Sequence, residues 1–200
     1  MDDHAPRPTC DRTENPRTTR MRDAVLNAVM ELVVTEGAGA VTALRVADRA
    51  CVARSTIYQH WPTSAALIRD TIDRLITPMG QVSISGHLEV DLTAALSALR
   101  ERLERRPFRI WLATLLDYAN HDPEFAETQV RFVTGVLQPL RNVLVDAVER
   151  GSLDAALDLD TAATRLAAPV LTEHVMLRRA ASDAEIGIAV AAFLAEHLRR

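Results

Sequence analysis

The chain contains no lysine: all 23 of its basic residues are arginine. Beside abundant alanine, that bias reflects a GC-rich genome more than a selected function. The 27 acidic residues bring the formal charge to -4, which argues against indiscriminate coating of nucleic acid and leaves room for a local basic surface. Cysteine is nearly missing too. Cys10 lies in the N-terminal tail and Cys51 inside a helical motif, so a disulfide framework and a cysteine-rich zinc site are excluded and a reducing cytosol is expected. Only seven glycines occur in 200 residues, favouring long helices over a turn-rich β fold. Aromatics make up 4%, leaving Ala, Leu and Val to carry most of the packing. No apolar run approaches the span of a bilayer, and the opening MDDHAPRPTCDRTENP lacks the apolar core of a signal peptide. A soluble, cytoplasmic protein without membrane contact is expected.

Catalytic patterns are missing as well. There is no G-x-S-x-G elbow, no H-E-x-x-H, no phosphate-binding loop, no dinucleotide glycine fingerprint, and no glutamate followed three residues later by histidine. His174 beside Glu173 is the nearest approach to a metal cue, and such a lone pair is more often a surface or core hydrogen bond. An enzyme, a cofactor and a metal are therefore not expected.

What is present is helical periodicity. Residues 1–16, with three prolines and alternating charges, have nothing to bury and are expected to be a disordered tail. From a cap at Thr18 or Thr19, RMRDAVLNAVMELVVTEG puts Val25, Val29, Leu32 and Val33 on one face and stops at Gly37. Thr42 caps a short helix with Leu44, Val46 and Ala47 turned inward. A third helix, RSTIYQHW, has Ile57 as its aliphatic pin and stops at Pro62, and Thr63 or Ser64 caps the next one. After a linker beyond Pro78, helices are expected at about 91–105, 107–121, 123–150 with a possible break at Gly135 or Pro139, 160–179 and 183–198. Their start signals are Asp91, Asp122, Asp160 and Ser182, and Gly151 is a stop.

The third helix carries the functional signal. Arg54, Ser55, Thr56, Tyr58, Gln59, His60 and Trp61 fall within barely two turns, and few of those side chains suit a core. A helix-turn-helix needs a second helix that is short, polar outside and pinned inside, and residues 43–61 meet that need, with Ile57, Val46, Ala47, Ala50 and Val52 as the internal face. Arginine reads guanine bidentately and glutamine reads adenine, while hydroxyls, phenol and imidazole suit phosphate oxygens. A solvated surface helix with no ligand is the plain alternative from spacing alone. For Trp61, packing is the main expected role.

RDAVLNAVMELVVTEGAGAVTALRVADRACVARSTIYQHWPTSAAL resembles the N-terminal DNA-binding domain of the TetR-like (tetracycline-repressor-type) bacterial transcriptional regulators, with STIYQHWPTSAAL in place of their S-x-Y-x-H-[FW]-x-x-K-x-x-L run. The likeness covers about residues 17–77. It implies an all-α protein: an N-terminal three-helix helix-turn-helix domain over 17–77, with a connecting helix at 64–77, then a helical ligand-binding and dimerisation domain over 78–200. It implies double-stranded operator DNA as partner, Thr42, Thr56, Tyr58 and His60 on phosphates, Arg54, Ser55 and Gln59 on bases, and Arg45 on either. Three positions depart from the pattern. Cys51 replaces the glycine usual in the turn; Ala53 replaces the serine usual before the recognition helix, which weakens the N-cap unless Ser55 takes over; and Ser64 replaces a lysine, so that one phosphate contact is lost or reduced to a hydrogen bond.

In the C-terminal half, PFRIWLATLLDYANHDPEF gathers Phe108, Trp111, Leu112, Leu115, Tyr118 and Phe125. These residues form either a packed core or an apolar cavity with a few polar groups. The second reading predicts a small apolar or aromatic effector held by Phe108, Trp111, Leu115, Tyr118, His121 and His174. The last helix is apolar around nearly its whole circumference, which calls for a partner beyond its own domain. Homodimerisation is expected through residues 160–198, with Ala163, Ala167, Val170, Ile186, Val190 and Phe193 at the interface. The expected function is a ligand-responsive repressor on a palindromic operator; an all-helical dimeric interaction protein without effector control is the alternative.

Overall fold

Pro16 opens the first helix, a position where the missing proline N–H is one that no intrahelical carbonyl would have used. The computed structural model describes residues 16–76 and 82–198, so the expected disordered tail, Cys10 included, falls outside the described residues except for Pro16 itself. Among the described residues there are nine α-helices, one 3-10 turn at Ala38–Ala40, and no strand. The helices are α1 (Pro16–Glu36), α2 (Ala43–Ala50), α3 (Arg54–His60), α4 (Ser64–Ile76), α5 (Leu88–Glu104), α6 (Arg106–Ala119), α7 (Pro123–Glu149), α8 (Leu159–Val175) and α9 (Asp183–His197). None is long and apolar enough to cross a membrane.

Local signals set most boundaries. Thr42 accepts the Arg45 N–H at the start of α2, and Asp122 accepts the Glu124 N–H at the start of α7. Ser182 and Glu185 form a reciprocal capping box on α9. Gly37 and Gly151 follow α1 and α7 with φ of 89° and 75°, conformations that cost a side-chain-bearing residue more. Three expected starts shift, the first being α1, which already includes Thr18 and Thr19 because it begins at Pro16. Asp158, not Asp160, caps α8 through the N–H groups of Asp160 and Thr161. Helix α5 starts three residues before Asp91, whose buried carboxylate turns back to accept the Ser85 hydroxyl at 2.7 Å and the N–H groups of Ser85 and Gly86. Burial works to raise the Asp91 pKa, yet the Ser85 and Gly86 hydrogen bonds hold it below the usual carboxylate range.

Helix α7 runs unbroken through Pro139. A proline inside a helix collides with the carbonyl four residues earlier, and here that residue is Gly135, whose permissive backbone gives the carbonyl room to tilt. Pro107 has the opposite effect. Its ring would meet the carbonyl of Leu103, so α5 ends and Arg105 turns extended (φ -64°, ψ 120°), making a sharp elbow before α6.

Helix α7 lies at the centre of the C-terminal part, against α4, α5, α6 and α8, while α5 also packs on α8 and α9. Helix α1 packs on α2, α4 and α6, so one apolar cluster continues from the N-terminal helices into the bundle. Trp111, Phe125 and Phe132 are among its largest buried side chains, each burial worth about 1.5–3 kcal/mol relative to exposure. Leu44 corrects the expectation for α2: it is 49% exposed, because it sits past Ala47 at the margin of a stripe centred on Val46 and Ala47.

A larger correction concerns α8 and α9. Ala163, Ala167, Val170, Ile186, Val190 and Phe193, the expected dimer contacts, are all buried inside the single chain, where α8 and α9 pack on each other and on α5. The faces left to solvent carry Ala168 and Thr172 on α8, and Gly187, Ile188, Ala191, Ala192 and Ala195 on α9. Ile188 is 70% exposed. An all-round apolar helix has two faces to satisfy, and its own domain took the one with the larger side chains.

Candidate nucleic-acid interface

Helices α2 and α3 meet through a tight turn. Cys51 takes the left-handed conformation (φ 55°, ψ 43°) that glycine adopts more readily, so the chain tolerates its steric cost. In return the Cys51 N–H reaches the Ala47 carbonyl, and the Val52 N–H reaches the same carbonyl at 3.0 Å. Ala53 stands at the N-cap of α3 and offers no side-chain hydrogen bond. Ser55 does not replace it; among the described residues α3 starts with no side-chain cap.

What holds α3 is its inner face. Ile57 is fully buried, and Trp61, 3% exposed, closes the helix against the core. The Trp61 indole N–H donates to Asp70 Oδ2 at 2.8 Å, and the same oxygen accepts Arg22 Nη2 at 2.7 Å. The Arg22 guanidinium also lies 5.9 Å from the Trp61 ring centroid. One carboxylate of α4 thus ties the end of α3 to α1. This network had a sequence signal only in hindsight, since neither Arg22 nor Asp70 stands out by type or spacing.

With Ile57 and Trp61 turned in, Arg54, Ser55, Tyr58 and Gln59 share the outer face at positions i, i+1, i+4 and i+5. All four are exposed, Tyr58 by 59%. His60 is exposed on the flank, its ring 5.6 Å from that of Trp61, and Thr56 is half-buried. Ser64 is half-buried at the start of α4, while Thr63 supplies the α4 cap by accepting the Ala66 N–H.

Thr42 and Arg45 sit beside this face, and both are engaged. The Thr42 hydroxyl accepts the Arg45 N–H at 3.3 Å, and Arg45 Nη2 lies 2.6 and 2.7 Å from the two Glu36 oxygens. Arg49 bridges Glu31 at 3.6 Å and Glu36 at 3.9 Å. The α1–α2 side is therefore charge-balanced. Arg54 has no ion pair with any described residue, and so brings an uncommitted charge to the outer face of α3.

The expected effector residues do not share one cavity. Phe108 and Trp111 line a cleft facing α1 and α4. Leu115 is core, and Tyr118 packs on Phe125 at 4.8 Å with its phenol pKa raised by burial and by Asp117. His121 is exposed beyond α6. His174 lines a separate cleft of about 310 Å³ with Arg109, Ile110 and Leu112. Burial, and then the Arg109 charge, lower its pKa.

Comparison with known proteins places this architecture. The family profile described as "Bacterial regulatory proteins, tetR family" matches residues 25–71, and "Tetracyclin repressor-like, C-terminal domain" matches residues 84–193. The chain is 27% identical over 167 residues to "DNA-binding transcriptional repressor TetR" of Mycobacteroides abscessus, covering 82% of this chain and 86% of that one. Among solved structures it is similar to the TetR family transcription regulator SCO0332, with a TM-score of 0.69 and 26% identity over 88% of this chain and 97% of that one. It also shares the fold of SmeT in its triclosan complex, with a TM-score of 0.61 and 19% identity over 90% of this chain and 92% of that one. The two profiles cover both the helix-turn-helix and the C-terminal bundle, and the chain belongs to the TetR family of bacterial DNA-binding transcriptional regulators.

Proposed function

We propose that the protein is a cytoplasmic repressor that binds a two-fold operator as a homodimer and releases it on binding a small effector. The observation that carries the DNA reading is the outer face of α3, where Arg54, Ser55, Tyr58 and Gln59 are exposed on a helix whose inner side is locked by Ile57 and Trp61. Arg54 and Gln59 read base edges, with Ser55 beside them. Thr42, Thr56, Tyr58, His60 and Ser64 hold phosphates, positioning the helix without reading sequence. Arg45 contributes only by sharing its guanidinium between a phosphate and Glu36.

Dimerisation through the solvent faces of α8 and α9 supplies the symmetry. Ala168, Gly187, Ala191 and Ala195 are small enough for close helix approach, and Ile188 is the large apolar side chain between them. Effector control is supported by the position of Phe108 and Trp111 on a cleft shared with α1, the helix on which α2 rests. The solved complex of SmeT with triclosan has the same fold. An allosteric coupling of about 1–3 kcal/mol lowers operator affinity about 5- to 150-fold, and operator weakens the effector by the same factor.

The experiment is selection of DNA from a random pool by the purified protein. A near-palindrome is expected, with half-site centres about 34–36 Å apart or a multiple of that. A selected site without two-fold symmetry overturns the dimeric reading, and no enrichment at all overturns sequence-specific binding.

A further inference from the structure

Between α1, α4 and the α5–α6 elbow lies a cleft of about 600 Å³, within the size range of pockets that hold drug-sized molecules. One wall is Pro107, Phe108 and Trp111 of α6; the other is Met30 and Val34 of α1, with Leu75 of α4. The aromatic wall is set before any ligand arrives. Phe108 stacks on Phe132 at 5.4 Å between ring centroids, and Trp111 is held in the core.

Charge is unevenly placed on this cleft. Arg102 and Arg105, one turn apart at the elbow, both line it. The Arg102 guanidinium is half-buried, and its pKa is lowered first by that burial and then by the charge of Arg105. Two guanidinium groups one turn apart give the elbow end of the cleft a cationic character that suits an anion. Glu31, the acidic residue of the lining, is directed to Arg49 of α2. None of the lining comes from α8 or α9, so the cleft stays open in a dimer formed through those helices.

We propose that this cleft binds an amphipathic organic anion, its aromatic or aliphatic body between Met30, Val34, Phe108 and Trp111 and its acidic group at Arg102 and Arg105. The ligand wedges α1 from α6. Because α1 carries α2, and Glu31 joins the cleft to Arg49 of α2, occupancy shifts the helix-turn-helix relative to the bundle. The regulatory consequence rests on the effector-responsive reading above; the binding itself does not.

The test uses two fluorescent probes on the full chain: 8-anilino-1-naphthalenesulfonate, which is anionic, and N-phenyl-1-naphthylamine, its neutral counterpart. Saturable binding of one sulfonate probe per chain is expected, with energy transfer from Trp111 in a Trp61→Phe background. Arg105→Glu, at an exposed residue, should weaken the sulfonate about tenfold and the neutral probe less than about twofold. Val34→Trp fills the cleft and should weaken both. Equal loss of both probes in Arg105→Glu overturns the anion preference, and unchanged binding in Arg105→Glu and in Val34→Trp overturns the site. Operator titrations separate the two readings. If the sulfonate occupies the cleft and operator affinity does not change, the site stands and effector control fails. If compounds release operator equally from wild type and Val34→Trp, effector control stands and the cleft is not its site.

Discussion

The indole N–H of Trp61 and the carboxylate of Asp70 meet at 2.8 Å, and that carboxylate also holds Arg22. The pair joins the last residue of the recognition unit to the helix that leads into the bundle. Asp70→Ala leaves a buried indole donor and a guanidinium without their shared acceptor, and should cost about 1–3 kcal/mol. Urea unfolding measures that loss. Operator binding should weaken for all sequences alike, because the pose of α3 changes and its reading face does not.

Arg54→Ala should behave differently. If its guanidinium reads a base as proposed, the substitution should cost about 1–3 kcal/mol on the selected site and relax preference at one position in each half-site. Tyr58→Phe, which removes the hydroxyl proposed to hold phosphate, should weaken all sites similarly. If Arg54→Ala leaves both affinity and preference unchanged, α3 does not read bases through this residue.

Glu36 restrains Arg45 and Arg49 through contacts of 2.6 and 3.9 Å. Glu36→Ala should therefore strengthen DNA binding, and steepen the fall of affinity with salt by about two units of log-log slope per dimer as one more arginine in each protomer displaces a counterion. Its cost in stability should stay below about 1 kcal/mol, since the pairs are exposed. An unchanged salt slope would show that Arg45 and Arg49 stay off the backbone.

The burial pattern of α9 separates two substitutions. Phe193→Asp places a charge in the chain's own core and should unfold it, seen as loss of helical circular dichroism. Ile188→Asp, on the solvent face, should leave the helical signal intact and shift sedimentation from dimer to monomer. A dimer that survives Ile188→Asp would place the interface elsewhere.

Glu185 gives a pH signature. Its pKa falls from 4.5 to about 2, chiefly through the Arg179 side chain, then through the N–H and hydroxyl of Ser182. A carboxylate depressed on folding contributes stability above its unfolded pKa and loses it as pH falls through the folded value, so the contribution fades between about pH 4.5 and 2. Glu185→Gln keeps a capping-box partner but cannot ionise. Melting curves of the two proteins should differ at neutral pH and converge near pH 2.

The all-helical class, the helix-turn-helix and the outward residues of α3 were legible in the chain itself, because they depend on local chemistry: a 3.6-residue apolar period, threonine, aspartate and serine caps, a proline stop after Trp61, and one aliphatic pin at Ile57. Asp70 as the shared acceptor of Trp61 and Arg22, and Glu36 as the partner of Arg45, could not be read there. Each joins helices whose relative placement is set by packing. The same reason buried the expected dimer face inside the chain. Periodicity showed α9 to be apolar on more than one side, but only the docking of α5 and α8 decided that Ile186, Val190 and Phe193 turn inward and Ile188 turns out. The cleft is the extreme case. Met30, Leu75, and the pair Arg105 and Trp111 come from three separate stretches of sequence, and no local rule brings together residues whose only relation is that three helices pack around an elbow broken by Pro107.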